Sequence, residues 1–175
     1  MPRTASEELP RIIAAAARRL VEISGPRGVT HRSVAAEAGV AVDSVANRFG
    51  SIDALVDHVA LRGFSEIVEA MLDRCGKPLQ EVGDAAGVLA EAETRYRRWA
   101  LDNPGLYRLM FTTPMIGIDP SPATRRAAAD LLQAFVAMAR AAREEDPQAA
   151  GQEVLAKLHG RVHLALAFSP PLLEP

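Results

Sequence analysis

The stretch Thr30 to Leu55, THRSVAAEAGVAVDSVANRFGSIDAL, constrains this chain more than any other, because it spells two short helices around a glycine and then the start of a third. Ala35, Gly39, Val40 and Val45 supply a small contact residue, a residue tolerant of positive φ and two apolar anchors, at the spacing of a compact helical corner. A small side chain at Ala35 lets the second helix cross the first closely. Gly39 accepts the left-handed conformation that ends the first helix after Ala38. The second helix, Val42 to Arg48, is then free to turn one face outward, the geometry of a helix-turn-helix unit.

The rest of the chain also reads as helix. It is 49% hydrophobic but only 5% aromatic, through heavy use of alanine and leucine, which favours helices over sheets. Leu9, Ile12, Ile13, Ala16, Leu20 and Ile23 recur at helical spacing before Ser24-Gly25-Pro26. Thr30 can cap the helix that follows it, leaving N–H groups at that end for a phosphate. Ser51 can cap the next, whose stripe of Leu55, Val56, Val59, Gly63, Phe64, Ile67 and Met71 reaches to about Arg74. After a break at Gly76-Lys77-Pro78, Val82, Ala85, Leu89, Ala92, Tyr96 and Trp99 mark a helix to Asp102, with Glu91–Arg95 and Glu93–Arg97 as i, i+4 pairs. Leu106 to Phe111 is a short apolar piece, followed by the greasy loop Thr112 to Ser121. A helix opening at Pro122 runs out at Glu144-Glu145-Asp146, and the last restarts at Pro147 and ends before Ser169-Pro170-Pro171. The expected organisation is all-α: residues 1–50 as a head, a linking helix over 51–74, and a helical-bundle body over 75–175.

No stretch approaches the ~20 apolar residues of a membrane span and the N-terminus lacks a signal-peptide core, so a cytoplasmic protein is expected. The one cysteine, Cys75, excludes an intramolecular disulfide. Net charge is −2, yet the first fifty residues carry seven basic and five acidic side chains against thirteen and seventeen in the rest. That modest asymmetry has the sign of a nucleic-acid-reading head on an acidic body. No Ser, His and Asp grouping or converging carboxylate pair points to catalysis. His159 and His163 have the i, i+4 spacing of two metal ligands, but no third ligand is evident nearby, so packing or dimer contacts are expected and no metal or cofactor.

Residues Ile12 to Val59, with a threonine-led helix, an alanine-to-glycine turn and Phe49 after the outer helix, resemble the DNA-binding head of TetR-family transcriptional regulators. The run YRRWALDNPGLYRLMF from Tyr96 to Phe111, with the later Leu158-His159-Gly160, resembles a variant C-terminal domain named for a Trp-His-Gly motif. The resemblance covers nearly the whole chain. It implies a repressor that dimerises through its last two helices, binds a double-stranded operator with half-sites about 34 to 36 Å apart or a multiple of that, and is released by a small apolar or amphipathic effector. On this reading Ser44 and Asn47 hydrogen-bond base edges, Val42 touches a thymine methyl, Thr30 and Arg48 hold phosphates, and His31 and Arg32 flank them. Asp43 is assigned to the helix N-terminus. Tyr96, Trp99, Tyr107, Met110, Phe111, Met115, Phe135 and Met138 either line an effector pocket between helices or fill the core.

Two departures stand out. Ala46 occupies the place of the family's usual phosphate-contacting tyrosine, and Ile52 that of a lysine opening the next helix. Four contacts are lost per dimer, which lowers the salt slope of log K by roughly 3 to 4. Arg48, Arg32, His31 and Arg3 are candidate replacements. The alternative is a ligand- or protein-binding dimer whose head has lost its grip on DNA through these two changes.

Overall fold

Thr30 supplies the first local instruction that the structure obeys: its hydroxyl accepts the N–H of Ser33 at 3.0 Å while the Ser33 hydroxyl accepts the N–H of Thr30 at 2.9 Å, a reciprocal box that starts a helix. The computed structural model describes residues 5–72, 85–112 and 117–168. Among them every regular element is helical: α1 (Ala5–Ser24), a 3-10 turn (Pro26–Gly28), α2 (His31–Ala38), α3 (Val42–Phe49), α4 (Ile52–Leu72), α5 (Ala85–Asp102), α6 (Pro104–Thr112), α7 (Pro122–Ala141) and α8 (Pro147–Ala167). Cys75, the break at Gly76-Lys77-Pro78, Val82, Met115 and the terminal Ser169-Pro170-Pro171 lie outside the described residues.

The α2–α3 corner turns on Gly39, whose φ of 66° and ψ of 35° are left-handed. An L side chain there is strained by about 1 to 2 kcal/mol even though nothing crowds the site. Ala35 and Val45 are buried beneath the corner, with Ile13, Ala16, Ala17 and Val21 of α1 and Val34 of α2. An exposed Arg19–Glu37 pair at 2.6 Å links α1 to α2 and adds a few tenths of a kcal/mol. The Ser51 hydroxyl accepts the N–H of Ala54 at 3.1 Å, capping α4 as expected.

One expectation on α1 is corrected. Its spacing puts Ile12 and Ile23 in the apolar stripe, but both are exposed, Ile23 at 76%. The buried face runs through Ile13, Ala16, Ala17 and Val21, and at 100° per residue Ile12 and Ile23 fall together on its flank.

Within the described residues the chain forms two compact units, one holding the residues up to Gly63 with Gly105–Arg125, the other Phe64–Pro104 with the residues from Arg126 on. In the first, α6 buries Leu106, Tyr107, Leu109 and Met110. In the second, α5 packs on α8, and Tyr96 meets Phe135 edge to face at 6.0 Å, both fully buried. Asp146 caps α8 by accepting the N–H of Ala149 at 3.0 Å, ahead of Pro147. The Glu91–Arg95 pair forms at 2.6 Å.

Replacing Thr30 by alanine removes the half of its capping box in which the hydroxyl accepts the Ser33 N–H, and keeps the half in which the backbone N–H donates to Ser33. The expected loss is about 1 kcal/mol of stability, read as a lowered urea midpoint at unchanged m-value.

Candidate nucleic-acid interface

Two short helices held by a capped start and a left-handed glycine leave α3 anchored on one side only. Val45 is its buried anchor, and Phe49 at its end packs against His58 of α4 with ring centroids 5.5 Å apart. Burial and then the nearby Arg62 hold His58 below its ordinary pKa, with Asp57 opposing them. The helix is thereby fixed in rotation: Val42, Asp43, Asn47 and Arg48 are exposed and Ser44 and Ala46 half-buried. At 100° per residue Asp43 and Asn47, one turn apart, occupy the middle of the outward face. Asp43 lies in the first turn of α3, at its positive end, and is exposed on the same face as Asn47. An acceptor-only carboxylate there suits a cytosine amino group and repels a phosphate.

At the start of α2, Thr30 and Arg32 are exposed, beside the first-turn N–H groups that the helix leaves for an outside partner. His31 differs, since it is half-buried and its Nε2 is buried without a hydrogen bond. Ile52 is half-buried and lines a cleft of about 350 Å³ with Pro26, Arg27, Val29, Asp53, Val56 and Ile118. The walls of that cleft are mixed, with the charged Arg27 and Asp53 beside apolar side chains.

The expected pocket residues separate. Tyr96, Phe135 and Met138 are buried in the second unit, Tyr107 and Met110 in the first, where Tyr107 touches the half-buried Phe111 at 4.9 Å. Trp99 lines two clefts of the second unit, of about 490 and 670 Å³, and the smaller also has polar walls from Glu91, Thr94, Arg95, Arg98, Asp102 and Asn103. The His159 and His163 rings lie 4.5 Å apart on α8, and burial first, then the His163 charge, lowers the His159 pKa. Among the described residues no group of three or more His, Cys, Asp or Glu could hold a metal ion, and no helix is long and apolar enough to cross a membrane.

A helix-turn-helix head joined to further helices is the architecture of a DNA-binding transcriptional regulator. Two family models match along the chain: "Bacterial regulatory proteins, tetR family" over residues 13–59 and "Tetracyclin repressor-like, C-terminal domain" over residues 89–172. The chain belongs to the TetR family of transcriptional regulators, whose members are in general DNA-binding proteins rather than enzymes. Nothing in the C-terminal match singles out the Trp-His-Gly subtype. Among solved structures, a protein of unknown function from Rhodococcus sp. RHA1 is similar with a TM-score of 0.79 and 24% identity, over 91% of this chain and 83% of that one. The TetR family transcriptional regulator PfmR from Thermus thermophilus is similar with a TM-score of 0.68 and 20% identity, over 87% and 85%. The multidrug binding protein EbrR, solved with imidazole, gives 0.62 and 24%, over 97% and 85%. These likenesses show the fold. No curated protein matches the sequence.

Proposed function

We propose that this regulator is a cytoplasmic, dimeric repressor that reads a near-palindromic operator and is released by a small apolar or amphipathic effector. The observation that carries the DNA reading is α3, anchored at Val45 and Phe49 while Val42, Asp43, Asn47 and Arg48 face solvent. Ser44 and Asn47 hydrogen-bond base edges, Val42, exposed at 45%, meets a thymine methyl, Thr30 and Arg48 hold phosphates, and His31 and Arg32 flank them on the DNA. In functional terms residues 1–50 are the head, 51–74 the link and 75–175 the body. Dimerisation through α7 and α8 is supported by an apolar face on α8, where Leu164 and Phe168 are 43% and 45% exposed and open space surrounds Gly160. The effector binds in the body, where Trp99 lines two clefts of about 490 and 670 Å³. EbrR, a multidrug binding protein by name, shares the fold. A coupling of ~1 to 3 kcal/mol between effector and operator suffices for release.

A mobility-shift titration against the DNA upstream of its own gene tests the reading. Sequence-specific competition is expected, and no shift even at low salt favours the alternative of a ligand- or protein-binding dimer with a head weakened by Ala46 and Ile52. Asn47→Ala is expected to cost about 1 to 3 kcal/mol of operator affinity and to relax preference at one base pair per half-site. Equal loss on every sequence would remove Asn47 from base reading.

A further inference from the structure

We infer that Glu22 and Asp57 are positioning residues of the DNA reader, holding the starts of α6 and α7 so that they and the reading corner move as one body; this rests on the proposed operator binding. Glu22 lies in the last turn of α1, half-buried, and its two carboxylate oxygens accept the N–H of Gly105 at 2.7 Å and of Leu106 at 2.9 Å. These are N–H groups of the first turn of α6, which have no partner inside the helix and sit at its positive end, so an ionised acceptor is held strongly there. Gly105 makes the approach possible. A Cβ on it would lie 2.7 Å from the Glu22 Cα and from the Val21 carbonyl oxygen, so only glycine lets α6 begin against the α1 backbone.

The second hold comes from α4. Asp57, 9% exposed, accepts the N–H of Ser121 at 3.1 Å, and Ser121 in turn caps α7 by accepting the N–H of Thr124 at 3.2 Å. Between the two holds α6 also lies close against α4, since a Cβ on Gly63 would meet the Met110 Sδ at 2.6 Å. The direction of transmission follows from the chain. The α1 turn bearing Glu22 runs directly into the 3-10 turn and the Thr30 cap, so fixing Glu22 fixes where α2 and α3 start. Residues Gly105–Arg125 accordingly fall in the same compact unit as the head.

Amide hydrogen exchange on the full chain, free and with a duplex from its own upstream region, tests this in the wild type, Glu22→Gln, Asp57→Asn and, as a control, the exposed Glu145→Gln. In Glu22→Gln the Gly105 and Leu106 amides are expected to exchange at least about tenfold faster while those of Leu109 and Met110 keep their rates, and the duplex to bind about five- to tenfold more weakly. In Asp57→Asn the Ser121 amide responds in the same way, which gives an independent reading should Glu22→Gln not fold. Unchanged exchange at these amides overturns the inference, as does uniform acceleration along α6 or an unaltered duplex affinity beside faster local exchange. If the wild type itself fails to bind the duplex at low salt, the operator reading falls, and the free-protein exchange still decides whether the carboxylates hold α6 and α7.

Discussion

Phe135→Ala is expected to destabilise the protein by about 3 to 5 kcal/mol, lowering the melting temperature by roughly 10 °C or more. Phe135 is fully buried on α7, and its ring meets the equally buried Tyr96 of α5 edge to face at 6.0 Å. Leu131, Val136, Met138 and Ala139 of α7 are buried around it, so the lost ring leaves a void that backbone-bound neighbours fill only in part. The experiment also separates two roles for this residue. If the ring is packed core, truncation costs the full transfer and cavity terms. If it lines an effector cavity that is already open, much of that loss is absent, and a change below about 1.5 kcal/mol in urea unfolding would overturn the packed reading. Comparison at fixed protein concentration is needed, because subunit association contributes to the apparent stability of a dimer.

The reading corner was legible in the sequence because its signals are local. Thr30 and Ser33 act across three residues, Gly39 on its own φ, and Val45 within its own helix, so short-range chemistry specifies the turn without knowledge of the rest of the fold. The flank of α1 was not. Periodicity locates an apolar stripe, but its width depends on what packs against it, and the neighbours of α1 cover Ile13 and Val21 while leaving Ile12 and Ile23 in solvent. The carboxylate holds were beyond reach for a related reason: Glu22 and Gly105 lie 83 residues apart, and Asp57 and Ser121 64. An acid near a helix end has the same local pattern whether it meets water or another helix. Tyr96 and Phe135 show the matching limit for ligand sites, because a helical stripe of aromatic residues has one sequence signature as core and as pocket wall.

Restoring the two missing backbone contacts is expected to change operator binding more than any single base-contact mutation. Ala46→Tyr returns one phosphate contact per subunit, and Ala46→Tyr with Ile52→Lys returns two, which steepens the slope of log K against log salt by about 2 and by roughly 3 to 4 per dimer. Between about 50 and 200 mM salt the double variant should then lose on the order of a hundredfold more affinity than the wild type, and bind tighter at the low end. The two positions differ in cost. Ala46 is half-buried on the corner helix, whereas Ile52 lines the cleft with Val29, Val56 and Ile118, so a lysine there gives up apolar packing and should lower the melting temperature as it gains a phosphate. Fluorescence anisotropy titrations across the salt range, with melting curves of both variants, provide the check. A wild-type slope already as steep as that of the double variant would mean that Arg32, Arg48 or other cations have taken over the contacts in full, and that Ala46 and Ile52 relocate the grip on DNA without weakening it.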